Sequence, residues 1–210
     1  GFQCDLSYIV SSTDDEVLYK NGNYLRKFLF SLRSFLKRRK DLKRANDYDI
    51  IFICREALMA RSTCFERGFK KSKAKLVFDF DDAIWLLDTS IANKKFEWLK
   101  NPGKTAKIIR LADLVIAGNK FLAEYAGKFN SNVVIIPTTI DTDYHKKMPV
   151  SVTNDKICIG WTGSYTTIKY FKYAVPFLKR IKEKFGDKVF IKVIGDNTYV
   201  NKELGIKGIA

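Results

Sequence analysis

Short apolar runs separated by helix-period stretches recur along this chain. The runs at 49–54 (DIIFIC within YDIIFIC), 75–80 (KLVFDF), 113–117 (DLVIA) and 132–136 (NVVII, stopped by Pro137) are rich in β-branched and aromatic residues and read as strands. They show little alternation, which is the pattern of parallel strands buried on both faces. A further strand is predicted at 4–11, within FQCDLSYIVSS, so the fold is expected to open inside a sheet. Helical patterns fill the intervals at 24–45, 58–69, through 107–111 and at 120–129. In the longest of them Leu25, Phe28, Leu29, Leu32, Phe35 and Leu36 recur at i, i+3, i+4, i+7 spacing. This stripe is expected to pack on a sheet, while its flank carries Arg26, Lys27, Arg33, Lys37, Arg38, Arg39, Lys40, Lys43 and Arg44. The alternative is a surface helix resting on anionic lipid headgroups.

After a polar linker at 145–155 that contains Met148-Pro149, the pattern restarts. A strand at 157–161 (ICIGW) turns at Thr162-Gly163-Ser164, a helix is predicted over 167–185, and a strand follows at 189–194 (VFIKVI) before Gly195-Asp196. Strict alternation of strand and helix predicts an α/β protein with parallel sheets. One Rossmann-type sheet is expected in a first domain, 1–147, and the first βαβ unit of a second in 148–210.

Charge changes the picture more than composition does. The sequence is that of a globular protein, but its net charge of +15 calls for an anionic partner. Nucleic acid is not the expected one, because the lysines and arginines are spread over many segments and no nucleic-acid motif is present. The cysteines, Cys4, Cys54, Cys64 and Cys158, form no CxxC pair, and with His145 the sole histidine no metal site is expected. Cys54 and Cys158 fall inside predicted buried strands and read as reduced core thiols, which points to a cytoplasmic chain. No apolar run approaches a bilayer-spanning length, and no signal-peptide pattern opens the sequence.

The candidate chemistry centres on FDFDDAIW, where an apolar strand ends in Asp79, Asp81 and Asp82 just before Trp85. Open α/β sheets bind ligands outside the carboxyl ends of their strands, so carboxylates gathered there are candidate catalytic groups. The bland reading is an Asp turn capping the next segment. Two other readings use the same residues. A haloacid-dehalogenase-like phosphatase would take Asp79 as nucleophile and Asp81 as acid/base, but Ala83 stands where that family has Thr or Val, and Val200 where it needs a second Asp. A metal-dependent transferase would hold a divalent ion between Asp79 and Asp81.

Taken together, FDFDDAIW, ADLVIAGNKFLAEYA, VVIIPTTIDTDYH, IGWTGSYTTIKYF and IKVIGD, in this order and spacing, resemble the retaining glycosyltransferases of family 4, which have the two-Rossmann GT-B fold. The resemblance covers nearly the whole chain. It implies a hexosyltransferase that moves a sugar from a nucleotide-sugar donor to a saccharide or lipid-linked acceptor of the cell envelope, at the inner face of the membrane and without a cofactor. It implies catalytic roles for Asp81 and Asp82, and substrate contacts from Arg55, Glu56, Trp85, Asn119 and Thr138. The donor phosphates would meet Gly163, Ser164, Thr166, Thr167, Lys169, Gly195 and Asp196. Three departures accompany it: Asp81 stands nearest the family's acceptor-strand histidine, Ser164 stands at the family's arginine, and the family's first glycine-rich strand and later glutamate pair are expected outside 1–210.

Overall fold

A computed structural model describes residues 1, 3–11, 14, 22–86, 101–147, 156–164 and 167–210. The chain divides into two compact units, Gly1–Asp141 and Thr142–Ala210. In the first, helix α1 (Tyr24–Lys43) precedes strand β1 (Ile50–Cys54). Helix α2 (Cys64–Lys70), strand β2 (Lys75–Phe80), helix α3 (Gly103–Leu111), strand β3 (Leu114–Ala117), helix α4 (Lys120–Ala126) and strand β4 (Val133–Ile135) then alternate. The four strands form one all-parallel sheet in the order β1-β2-β3-β4, the Rossmann-like arrangement expected from the alternation.

Register builds the core. Ile53 pairs with Phe78, and Phe78 with Val115, so Ile51, Ile53, Leu76, Phe78, Phe80, Val115 and Ala117 share one face. Phe65 and Phe69 of α2, Ile108 and Ile109 of α3 and Leu122 of α4 pack against it. Phe78 and Phe80 are fully buried and stacked, 5.3 Å between ring centroids. Burying a side chain of that size stabilises the fold by about 1.5–3 kcal/mol. Polar side chains fix the crossovers. Asp113 accepts from the Leu76 amide at 2.8 Å and from Lys70 Nζ at 2.8 Å, joining β2, α2 and the start of β3. Asn130 Nδ2 donates to the carbonyls of Ile109 and Ala112, both at 2.8 Å, and closes the end of α3.

Several expectations are corrected. The segment 4–11 is not a strand. Its polar groups are taken up by α1 and the following turn instead: Arg38 Nη1 donates to Ser7 Oγ at 2.9 Å, Lys37 to the Tyr8 carbonyl, and Arg44 and Tyr48 to Asp5 at 3.0 and 2.7 Å. The β1 run is not buried on both faces. The core lies on one side and β1 at the sheet edge, which leaves Ile50 and Phe52 of the opposite side 54% and 57% exposed. Cys54 and Cys158 do lie in strands but are exposed rather than core thiols.

Helix α1 has the expected extent and the opposite orientation. Its inward residues are Lys27, Phe30, Ser34, Arg38, Asp41 and Leu42, with Ser34 buried, whereas the apolar stripe points outward except at Phe35, whose ring meets the core Phe65 edge-on at 5.4 Å. Polar anchors and one close approach set this rotation. Arg38 Nε donates to the Ala57 carbonyl and its Nη1 to Asp41 Oδ2 at 2.6 Å. Leu42 meanwhile sits so close to Gly68 that an added Cβ would stand 2.8 Å from its Cδ1.

The helix predicted over 58–69 begins only at Cys64. Lys104 Nζ captures the Leu58 carbonyl at 2.6 Å, and Glu66 Oε1 accepts from the Ala57 amide at 3.1 Å, so the groups that would start a helix at Leu58 are bonded elsewhere.

In the second unit, β5 (Ile157–Thr162) and β6 (Val189–Ile194) pair in parallel, as expected. The single helix predicted over 167–185 is split into a 3-10 segment, Ile168–Tyr173, and helix α5 (Val175–Phe185). Pro176, with no N–H to give and a φ suited to a first helical turn, starts α5 afresh. Phe171, Leu178, Ile191, Val193 and Leu204 form its core. A short antiparallel pair, β7 (Val200–Asn201) with β8 (Ile206–Lys207), was not predicted, since two-residue strands leave no period to read.

Candidate functional site

Because all four strands of the first sheet are parallel, their carboxyl ends lie along one edge. Arg55 follows β1, Asp81 and Asp82 follow β2, Gly118-Asn119 follows β3, and Thr138 lies in the irregular segment after β4. Arg55 has φ 63°, a left-handed conformation uncommon for a side-chain-bearing residue. Its amide donates to the Asp79 carbonyl at 2.8 Å, so the chain kinks at the end of β1 without leaving β2. The kink aims the guanidinium at both acids. Nε and Nη2 reach Asp81 Oδ1 at 3.1 and 3.0 Å, and Nη2 reaches Asp82 Oδ2 at 2.5 Å. One cation thus holds two neighbouring carboxylates on an exposed edge, where they can accept hydrogen bonds from hydroxyl groups. Gly118 makes room for the turn, since a Cβ there would lie 3.1 Å from Asp81 Cα.

Asp79 belongs to a different surface. It pairs in register with Cys54 on the sheet face opposite the core, and partial burial raises its pKa despite the hydrogen bond from the Cys54 thiol. Burial, then the charge of Asp79, likewise pushes the Cys54 thiol up. Cys54 is nonetheless an exposed residue, its thiol hydrogen-bonded to Asp79. Asp79 and Asp81 therefore occupy separate settings, one inside the strand and one beyond its end.

Glu56 is turned away from the acids and braces the fold. It accepts from Lys104 Nζ at 2.7 Å, and that buried lysine also stands 3.6 Å from the fully buried Glu66. Trp85 is half-buried, stacked on Tyr125 at 3.6 Å between centroids and 3° between planes, with Phe121 at 5.9 Å. Sequence reasoning missed this aromatic shelf. Phe121 and Tyr125 are one helical turn apart on α4, but nothing in the sequence brings Trp85 to them. Asn119 caps α4, its Oδ1 accepting from the Leu122 amide at 3.0 Å.

A second concavity, about 490 Å³, lies between the 61–63 loop, α2 and α3, lined by Arg61, Thr63, Arg67, Lys107 and Arg110 among others. It too was invisible in the sequence, because its cations come from three separate segments.

In the second unit the carboxyl ends of β5 and β6 meet through backbone. Gly195 has φ 109°, and a Cβ on it would lie 1.8 Å from the Gly163 carbonyl oxygen. The Gly163 amide donates to the Ile194 carbonyl at 3.1 Å, and the Ser164 amide to Thr167 Oγ1 at 2.8 Å. Thr166 lies outside the described residues. Lys169 is in the 3-10 segment, its Nζ 4.9 Å from the centroid of the Tyr170 ring. The N-terminus of α5 is thus several residues later than the phosphate-binding reading requires. Asp196 is buried and its pKa is lowered by the Thr198 hydroxyl, which donates at 2.6 Å, and by the Thr198 amide at 2.9 Å.

The fold and this edge define an α/β chain with a Rossmann-like parallel sheet. No protein-family model matches the chain, and no curated protein matches its sequence. Among the described residues no helix is long and apolar enough to cross a membrane.

Proposed function

We propose that the chain is part of a retaining glycosyltransferase that moves a hexosyl group from a nucleotide sugar to a saccharide or lipid-linked acceptor. The observation that carries this reading is the Arg55–Asp81–Asp82 cluster at the carboxyl edge of the parallel sheet. Carboxylates aligned by a guanidinium suit the hydroxyl groups of a sugar, and Asp81 would orient the acceptor hydroxyl by accepting a hydrogen bond from it. For retention that oxygen bonds to the anomeric carbon on the face from which the nucleoside diphosphate departs, as the anomeric carbon–phosphate oxygen bond breaks and the hydroxyl proton passes to the leaving phosphate. The stacked Trp85–Tyr125 pair, reached by the same loop, offers a flat apolar face of the kind on which a sugar ring rests. In the second unit Ser164 and Lys169 are the groups assigned to the departing nucleoside diphosphate.

Ligand-observed NMR with UDP- and GDP-hexoses and with a disaccharide panel tests the reading. A saccharide is expected to bind, and Asp81→Asn is expected to weaken it about tenfold or more through loss of a charge-assisted hydrogen bond. If neither class of ligand binds, or if Asp81→Asn binds the saccharide as well as the native chain, the assignment is wrong.

A further inference from the structure

We propose that α1 is a membrane-docking helix that lies in the plane of an anionic bilayer with its apolar stripe turned into the lipid. The proposal does not depend on the glycosyltransferase reading. It begins from the rotation of the helix. Leu25, Phe28, Leu29, Leu32 and Leu36 are 73%, 64%, 52%, 45% and 47% exposed, so the most apolar face of the longest helix is the one that faces solvent. That orientation is built in, because the opposite face is pinned by Arg38 to Ala57 and Asp41 and by the fit of Leu42 at Gly68.

Charge identifies the occupant. The helix carries eight cations, Arg26, Lys27, Arg33, Lys37, Arg38, Arg39, Lys40 and Lys43, against the single acid Asp41. Arg33, Lys37 and Lys40 line one groove of about 380 Å³ together with Leu29, Leu32 and Leu36. An apolar floor with a cationic rim matches acyl chains beneath anionic headgroups. A second copy of the same helix would bring like charges together across that groove, which disfavours a homotypic contact. From Leu25 to Leu36 the stripe spans roughly 18 Å along the axis, too short to cross a bilayer and suited to lying in its surface. Arg38 is excluded from the lipid contact, since its guanidinium is committed to the protein side, and Arg33 and Lys37 already hold Asp14 and the Tyr8 carbonyl, so the headgroup contact falls first to Arg39, Lys40 and Lys43.

The test is co-sedimentation of the full chain with vesicles of phosphatidylcholine alone and of phosphatidylcholine with phosphatidylglycerol, alongside analytical ultracentrifugation without lipid. The native chain is expected to bind the anionic vesicles and not the neutral ones. The double variant Leu29→Glu/Leu32→Glu should lose binding at least tenfold with an unchanged far-UV spectrum, because both sites are exposed. Arg39→Gln and Lys40→Gln should each cost about fivefold and flatten the salt dependence. In Phe28→Trp the new indole emission, measured against the native protein, should shift to the blue on adding anionic vesicles, which reads insertion even if the double variant folds poorly. No binding of the native chain to anionic vesicles overturns the proposal. So does full binding by a folded Leu29→Glu/Leu32→Glu variant, which would reduce the contact to surface charge. Self-association that the same variant abolishes, with vesicles ignored, would assign the face to a second copy.

Discussion

The two parallel sheets end differently. At the carboxyl edge of the first, side chains meet: Arg55 leaves the strand in a left-handed turn and gathers Asp81 and Asp82 in solvent. At the carboxyl edge of the second, backbones meet: Gly163 and Gly195 pack carbonyl against Cα, and the amides of Gly163, Ser164 and Gly195 are bonded internally. The first edge can change its partners by moving side chains, whereas the second can do so only by breaking its own hydrogen bonds. Recognition through side-chain charge therefore belongs to the first edge. A ligand at the second must be met by what surrounds the turn rather than by the turn's amides.

The sharpest way to break this contrast is Gly195→Ala. The new methyl would overlap the Gly163 carbonyl, and φ 109° is a region that L side chains rarely adopt. Strain and overpacking together are expected to cost on the order of 3 kcal/mol, confined to the second unit. Amide hydrogen exchange reads it residue by residue: β6 should lose protection while β2 keeps it. Unchanged exchange in β6 would mean that the two strand ends are not locked by their backbones.

Arg55→Gly makes the opposite substitution at the other edge, with a smaller effect on stability. Glycine relieves the left-handed backbone, worth about 1–2 kcal/mol, while the exposed ion pairs with Asp81 and Asp82 are worth about 0.2–1 kcal/mol each. The net change in a urea titration should stay within about 1 kcal/mol of zero, whereas saccharide binding should be lost. A large destabilisation would make Arg55 a structural residue and remove the site's main support.

These residues also show how much could be read before the fold was known. The strands β1 to β6 were legible because each is a compact apolar run between turn residues, and 189–194 was found at its full length. The edge of acids was legible because FDFDD places charge where a strand must end. The orientation of α1 was not, because a stripe of leucine and phenylalanine looks the same whether it covers a sheet or faces outward. Its rotation depends on Arg38 finding the Ala57 carbonyl, a contact between residues 19 apart in sequence. The late start of the helix expected over 58–69 depends in the same way on Lys104, which arrives from 46 residues downstream. The strand expected at 4–11 has strand-like residues, but its acid and hydroxyl groups found cations on and beside α1.

The smallest predicted effect separates one carboxylate of each unit, Asp79 and Asp196, by the sign of its response to pH. Asp196 is bonded to the Thr198 hydroxyl and amide, which hold its pKa below the usual carboxylate range. Its contribution to the second unit is therefore present above the unfolded value of about 3.9 and is lost as pH falls through the lower folded value. Asp79 has the opposite linkage. Burial raises its pKa, so folded Asp79 holds its proton more tightly than in the unfolded chain, and its own contribution to stability declines as pH rises from about 4 through the folded value, whereas Asp5, Asp14 and Asp113 of the same unit are lowered by their hydrogen-bond partners and act in the other direction. Asp79→Asn should accordingly strengthen protection of β2 at neutral pH, with the gain vanishing below about pH 4. Asp196→Asn should weaken protection of β6 at neutral pH, with the loss shrinking in the same acid range. Exchange rates measured on both variants across that range decide the matter. If Asp79→Asn weakens β2 at neutral pH, the carboxylate is being held in its charged form, and Asp79 belongs with Asp81 in the site rather than with Cys54 on the sheet face.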